Sequence, residues 1–126
     1  MSIVLDAGAF VTVERGNRDL TAIVKRERLA NRAPLTSGGV VGQVWRGGHG
    51  RQANLARLLA AVDVQAIDEE VGRRVGVLLA ATGGDDVVDA AVVLLAGDGD
   101  EIFTGDPTDL RALAVAAGRH VELIPV

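Results

Sequence analysis

The chain has no cysteine and no tyrosine, two histidines, one tryptophan and two phenylalanines in 126 residues. Without cysteine there is no disulfide framework, no thiolate metal site and no cysteine nucleophile. His49 and His120 are too few for a histidine-built metal site and leave little room for a Ser-His-Asp triad. Phe10, Phe103 and Trp45 are too few for a base-stacking platform. The only lysine, Lys25, follows Val24, whereas the phosphate-binding lysine of a P-loop follows glycine. The longest apolar run is about half of what a bilayer requires, and no charged segment leads into a long apolar stretch at the N-terminus. A cytoplasmic protein with no membrane contact is expected. What is present is one domain's length of chain, 48% apolar, whose core must be built from Val, Leu, Ile and Ala.

The net charge of −4 hides a division. Residues 1–57 carry nine cations and four acids, a balance of +5, and residues 58–126 carry four arginines and thirteen acids, a balance of −9. Such a split fits a polyanion steered toward an acid-lined, metal-holding site, or simply two solvated faces.

Short apolar runs alternate with helical patterns. Strands are expected at Ser2–Leu5, Ala33–Thr36, Val62–Ile67, Glu101–Thr104 and Val121–Ile124. Helices are expected over Ala7–Val13, from Asn17 or Asp19 to Ala30, and from Ser37 through Val40, Val41, Val44 and Trp45 to a stop at Gly47-Gly48. Others follow over Asn54–Ala61, Glu69–Ala81 behind Asp68, Val87–Leu95 behind Asp85 or Asp86, and from Asp106-Pro107 to Ala117. Continuously apolar strands alternating with helices predict a parallel sheet with helices on both faces.

Three aspartates map to one end of that sheet. Asp6 directly follows the first strand, Asp106 follows the fourth, and Asp89 lies in the first turn of the helix before the fourth. In open α/β sheets the functional crevice lies at the carboxyl ends of the strands, where strand order reverses. Converging carboxylates there suit a hard cation, Mg²⁺ or Mn²⁺. Each aspartate alone also reads as a helix cap. Gly47-Gly48-His49-Gly50 lacks dinucleotide-loop spacing, and both histidines and Trp45 read as structural or solvated.

Ile-Val-Leu-Asp at 3–6, Val-Trp-Arg-Gly-Gly at 44–48, Asp-Val-Val-Asp-Ala at 86–90 and Ile-Phe-Thr-Gly-Asp-Pro-x-Asp-Leu at 102–110 resemble the PIN domain. They look closest to the VapC toxins of bacterial type II toxin–antitoxin pairs. The resemblance spans nearly the whole chain and implies one PIN-like domain over residues 1–126, with a five-stranded parallel sheet in the order 3-2-1-4-5. It implies Mg²⁺- or Mn²⁺-dependent RNA hydrolysis, a VapB-type antitoxin as partner, a homodimer, and a toxin–antitoxin hetero-oligomer. Residue by residue, Asp6, Asp89 and Asp106 match the family's metal-binding acids, and Asp109 matches a further catalytic acid. Thr104 matches a supporting hydroxyl; among the arginines that could hold the RNA backbone Arg46 stands nearest the site in sequence, where it could equally form a structural salt bridge. The family's remaining acid, a glutamate, is here Gln43, with Glu14 a possible substitute nearby. That departure leaves a second reading, a catalytically weakened module that binds RNA or protein. A phosphoacceptor receiver domain would need a lysine near its last strands, and none is there.

Overall fold

The computed structural model describes residues 1–126. Five parallel strands form one sheet in the order β3-β2-β1-β4-β5, as expected. They are β1 (Ile3–Leu5), β2 (Leu35–Ser37), β3 (Asp63–Gln65), β4 (Glu101–Thr104) and β5 (Glu122–Pro125). Seven α-helices connect and flank them: α1 (Ala7–Glu14), α2 (Arg18–Leu29), α3 (Gly38–Val44), α4 (Ala53–Leu59), α5 (Glu69–Thr82), α6 (Val87–Leu95) and α7 (Pro107–Ala116). No helix is long and apolar enough to cross a membrane.

The central strand shows why the sheet is covered on both faces. Ile3, Val4 and Leu5 are all buried, although consecutive side chains of a strand point to opposite faces. Each such side chain contributes roughly 1.5–3 kcal/mol by leaving water. They join one core cluster of 24 buried apolar residues in which Phe10 and Phe103 are the only aromatics. The edge strand β3 is exposed at all three positions, matching its weak apolar pattern.

Most helix starts follow the local chemistry. Asn17 Oδ1 accepts the N–H groups of Asp19 and Leu20, so Asn17, not Asp19, caps α2. Ser37, Asp68 and Asp86 cap α3, α5 and α6 through their side-chain oxygens. Several boundaries differ from expectation, those of β3, α4 and β5 among them, and two more have a visible cause. The second strand begins at Leu35, after Pro34, whose missing N–H cannot join a ladder. Helix α3 ends at Val44, before Trp45, and not at the glycines. The cause lies eight residues on. The buried Gln52 side chain donates to Val44 O (2.9 Å) and accepts the N–H groups of Arg46 (2.9 Å) and Gly48 (3.0 Å). The backbone polar groups released by unwinding are thus satisfied. Gly48, at φ +78°, lies so close under the Trp45 ring that a Cβ there would meet it at 2.6 Å.

The β1–β4 pairing sets the geometry that matters for function. Val4 stands opposite Ile102 and Leu5 opposite Phe103. The chain goes from β1 to β2 on one side, while β4 lies on the other. The strand order therefore reverses between β1 and β4, and Asp6 and Asp106 follow these two strands.

Candidate metal centre

Close backbone packing brings the two strand ends together. A methyl on Gly8 would sit 2.5 Å from Gly105 N and 2.9 Å from its Cα. Only glycine at position 8 allows the start of α1 to lie against the turn between β4 and α7. Sequence reasoning passed over both glycines. Their one signal is position, each within two residues of a strand-end aspartate.

Asp89, Asp106 and Asp109 form the acidic cluster. One carboxylate oxygen from each lies within 4.8 Å of the others. Asp89 is aimed by its helix. Asp86 Oδ1 accepts the Asp89 N–H at 2.9 Å, fixing Asp89 in the first turn of α6, and helical side chains lean toward the N-terminus. Asp106 precedes α7 at φ −136°, ψ 65°, and its side chain makes no capping bond. Pro107 at the first helical position brings no N–H to satisfy. The carboxylate of Asp106 is therefore left for other contacts. Asp109, one turn into α7, faces it.

Asp6 lies outside that cluster. It was expected among the metal ligands, with Asp109 as a further acid. The carboxylate oxygens that lie within 4.8 Å of one another are those of Asp89, Asp106 and Asp109. Asp6 is only 6% exposed, and each of its oxygens accepts one hydrogen bond, which leaves a lone pair on each. Oδ1 accepts the Ala7 N–H at 2.7 Å, and Oδ2 accepts the Thr104 hydroxyl at 2.9 Å. Thr104, fully buried, accepts the Asp106 N–H at 2.9 Å through the same oxygen. One hydroxyl thus ties the ends of β1 and β4 together and fixes Asp6 relative to Asp106.

The electrostatics record the crowding. Burial, followed by the charges of Asp86, Asp6, Asp106 and Asp109, raises the Asp89 pKa from 3.8 to about 6. Asp6 is thus near enough for its charge to act on Asp89. A hydrogen bond shared with Asp106, and then the charge of Asp106, raise Asp109 above the ordinary carboxylate range. No cation of the chain pairs with the cluster, since the three ion pairs involve Glu27 and Glu69.

An oxygen-only donor set of this kind fits a hard dication. Ligand oxygens about 2.1 Å from an octahedral Mg²⁺ stand roughly 3–4 Å apart, which lies within the 4.8 Å limit of the cluster. A bound cation would offset the mutual repulsion of the three carboxylates.

The remaining candidates have these surroundings. Gln43 is exposed on α3 and makes no side-chain hydrogen bond. Arg46, expected toward RNA, folds its guanidinium back onto the carbonyls of Gly42 (3.2 Å) and Trp45 (2.7 Å) around the C-terminus of α3. Glu14 does not join the acids, but lines a depression with Arg46, His49 and Arg51. His120 is exposed, and its N–H donates to Asp98. No protein-family model matches this chain, and no curated protein matches it.

Proposed function

We propose that the chain is a metal-dependent endoribonuclease of PIN-domain type. In this reading it is the VapC-like toxin of a type II toxin–antitoxin pair, held in check by a VapB-type antitoxin and working as a dimer. The observation that carries the reading is the convergence of Asp89, Asp106 and Asp109 at the carboxyl edge, where strand order reverses. Two of the four motifs that resemble the family, at 86–90 and 102–110, supply every residue of that cluster.

Asp89, Asp106 and Asp109 would hold Mg²⁺ or Mn²⁺, which when bound lowers the pKa of water and neutralises charge developing on a phosphate. The chain's own residues prepare the place. Asp6 adds a fixed negative charge beside the cluster, and Thr104 sets its orientation. Asp109, the acid one turn into α7 and exposed, is placed to orient the attacking water or take its proton. Gly8 and Gly105 let the two halves of the site approach.

The test is cleavage of total RNA in Mn²⁺ by the native chain and by Asp106→Asn. The native chain should cut, and the variant should lose about 100-fold or more, the scale of removing one group that stabilises the transition state. Equal cutting by the two would remove the site assignment. The second reading, a binding module that does not cut, is favoured by one observation: the position of the expected glutamate is an exposed, neutral Gln43. RNA binding without cleavage by the native chain would establish it.

A further inference from the structure

Five of the nine cations of residues 1–57 gather on one surface. Two adjoining depressions follow the last turn of α1, the start of α2 and the length of α4, and meet at Asn54. The first, about 730 Å³, is lined by Arg15 and Arg51 beside Glu14. The second, about 570 Å³, is lined by Arg18, Lys25 and Arg57 and by no acid. All five cations are exposed, and none forms an ion pair. Only Arg57 has a side-chain hydrogen bond within the chain, to Asn54 Oδ1 at 3.0 Å. Five unpaired positive charges along one channel repel each other, and a polyanion relieves that repulsion.

We infer that this channel is a track for the phosphate backbone of single-stranded RNA. Its charges are spread over two linked depressions, which suits a polymer better than one small anion. Four of the five cations are arginines, whose planar forks match phosphate oxygens. No aromatic side chain lines either depression, so the contact is to backbone and not to stacked bases. Helix α1 joins the track to the acids. It starts beside Asp6 and ends at Arg15, a length of about 12 Å for eight residues. This inference deepens the ribonuclease reading and rests on it for the choice of RNA as the polyanion.

The test is binding, not cleavage. A fluorescent single-stranded RNA of mixed sequence is titrated in EDTA across a range of salt concentrations. The probes are the native chain, the triple variant Arg18→Gln/Lys25→Gln/Arg57→Gln, and the control Arg73→Gln/Arg74→Gln on α5. Three lost phosphate contacts should flatten the slope of log affinity against log salt by about 2, and weaken binding at least about tenfold near 0.1 M salt. The control should keep the native slope. No binding by the native chain, an unchanged triple variant, or an equal loss in the control would each overturn the proposal. So would a triple variant that loses binding to poly-glutamate while keeping RNA, because the channel would then take an acidic protein. Because EDTA removes any cation, tight RNA binding together with absent cleavage in Mn²⁺ supports the track and sinks the nuclease reading separately.

Discussion

The two ends of the sheet use the same residue in opposite ways. At the amino end, Asp100 accepts the N–H groups of Ser2 (2.7 Å) and Gly97 (2.8 Å). Beside it Asp98 accepts the N–H of His120 at 2.8 Å. These carboxylates fasten three loops to the starts of β1, β4 and β5. At the carboxyl end, Asp106 stands at a cap position without capping, and Asp89 and Asp109 accept no backbone N–H. Charge there is left facing charge, and burial, followed by those neighbouring charges, raises the Asp89 pKa to about 6. Acids that hold a fold together take N–H donors. Acids left crowded without donors carry a cost in the free chain that a cation would remove.

The sharpest way to break this comparison is to remove one acid from each end. Asp100→Ala leaves two part-buried N–H groups without their charged partner and should cost about 2–3 kcal/mol in urea unfolding. Asp89→Asn removes a repelled charge and should leave stability equal to or above native at pH 7. If both variants are equally destabilised, the carboxyl-end acids are structural after all.

A smaller effect lies in pH. The Asp89 pKa is higher in the folded chain than in the unfolded one, so its protonated form favours folding. That contribution is fully present below about pH 4 and is lost as the pH rises through about 6. The gain from Asp89→Asn should therefore be near zero at pH 4 and appear by pH 7 in chain freed of divalent cations. Adding Mn²⁺ at pH 7 should stabilise the native chain, and less so below pH 6, where protons compete for the same oxygens. A gain independent of pH would mean that Asp89 is not strained. The smallest effect is expected for Gln43→Glu. It should tighten Mn²⁺ binding only a few-fold, by adding a carboxylate on exposed α3. No change by calorimetry would place position 43 away from the cation.

Much of this was legible locally. The helix starts at Ser37, Asp68 and Asp86 follow from side chains that reach N–H groups two or three residues on. The strand order matched the expectation that the family resemblance implied. The candidate site was legible only in part. Asp6 and Asp106 looked alike in sequence, each an aspartate just past a strand. Buried beside Thr104, Asp6 became a hydrogen-bonded anchor, while Asp106 kept an open carboxylate. Arg46 looked available for RNA, but α3 ends two residues before it, and its guanidinium closes on the carbonyls of Gly42 and Trp45. Both outcomes depend on partners that are distant in sequence, Thr104 and Gln52.

The sequence by itself determined an aliphatic core, the absence of sulfur chemistry, the alternation of strands and helices, and the division of charge. These depend on composition and on periods of a few residues, so no knowledge of distant partners is needed. The tertiary structure decided which acids converge, which one is sequestered, and which cations remain unpaired. Each of those depends on long-range approach: Gly8 against Gly105, the Thr104 hydroxyl reaching Asp6, and α4 set beside the start of α2. A chain with no cysteine and almost no histidine confines the candidate site to oxygen ligands, and folding selects Asp89, Asp106 and Asp109 among them.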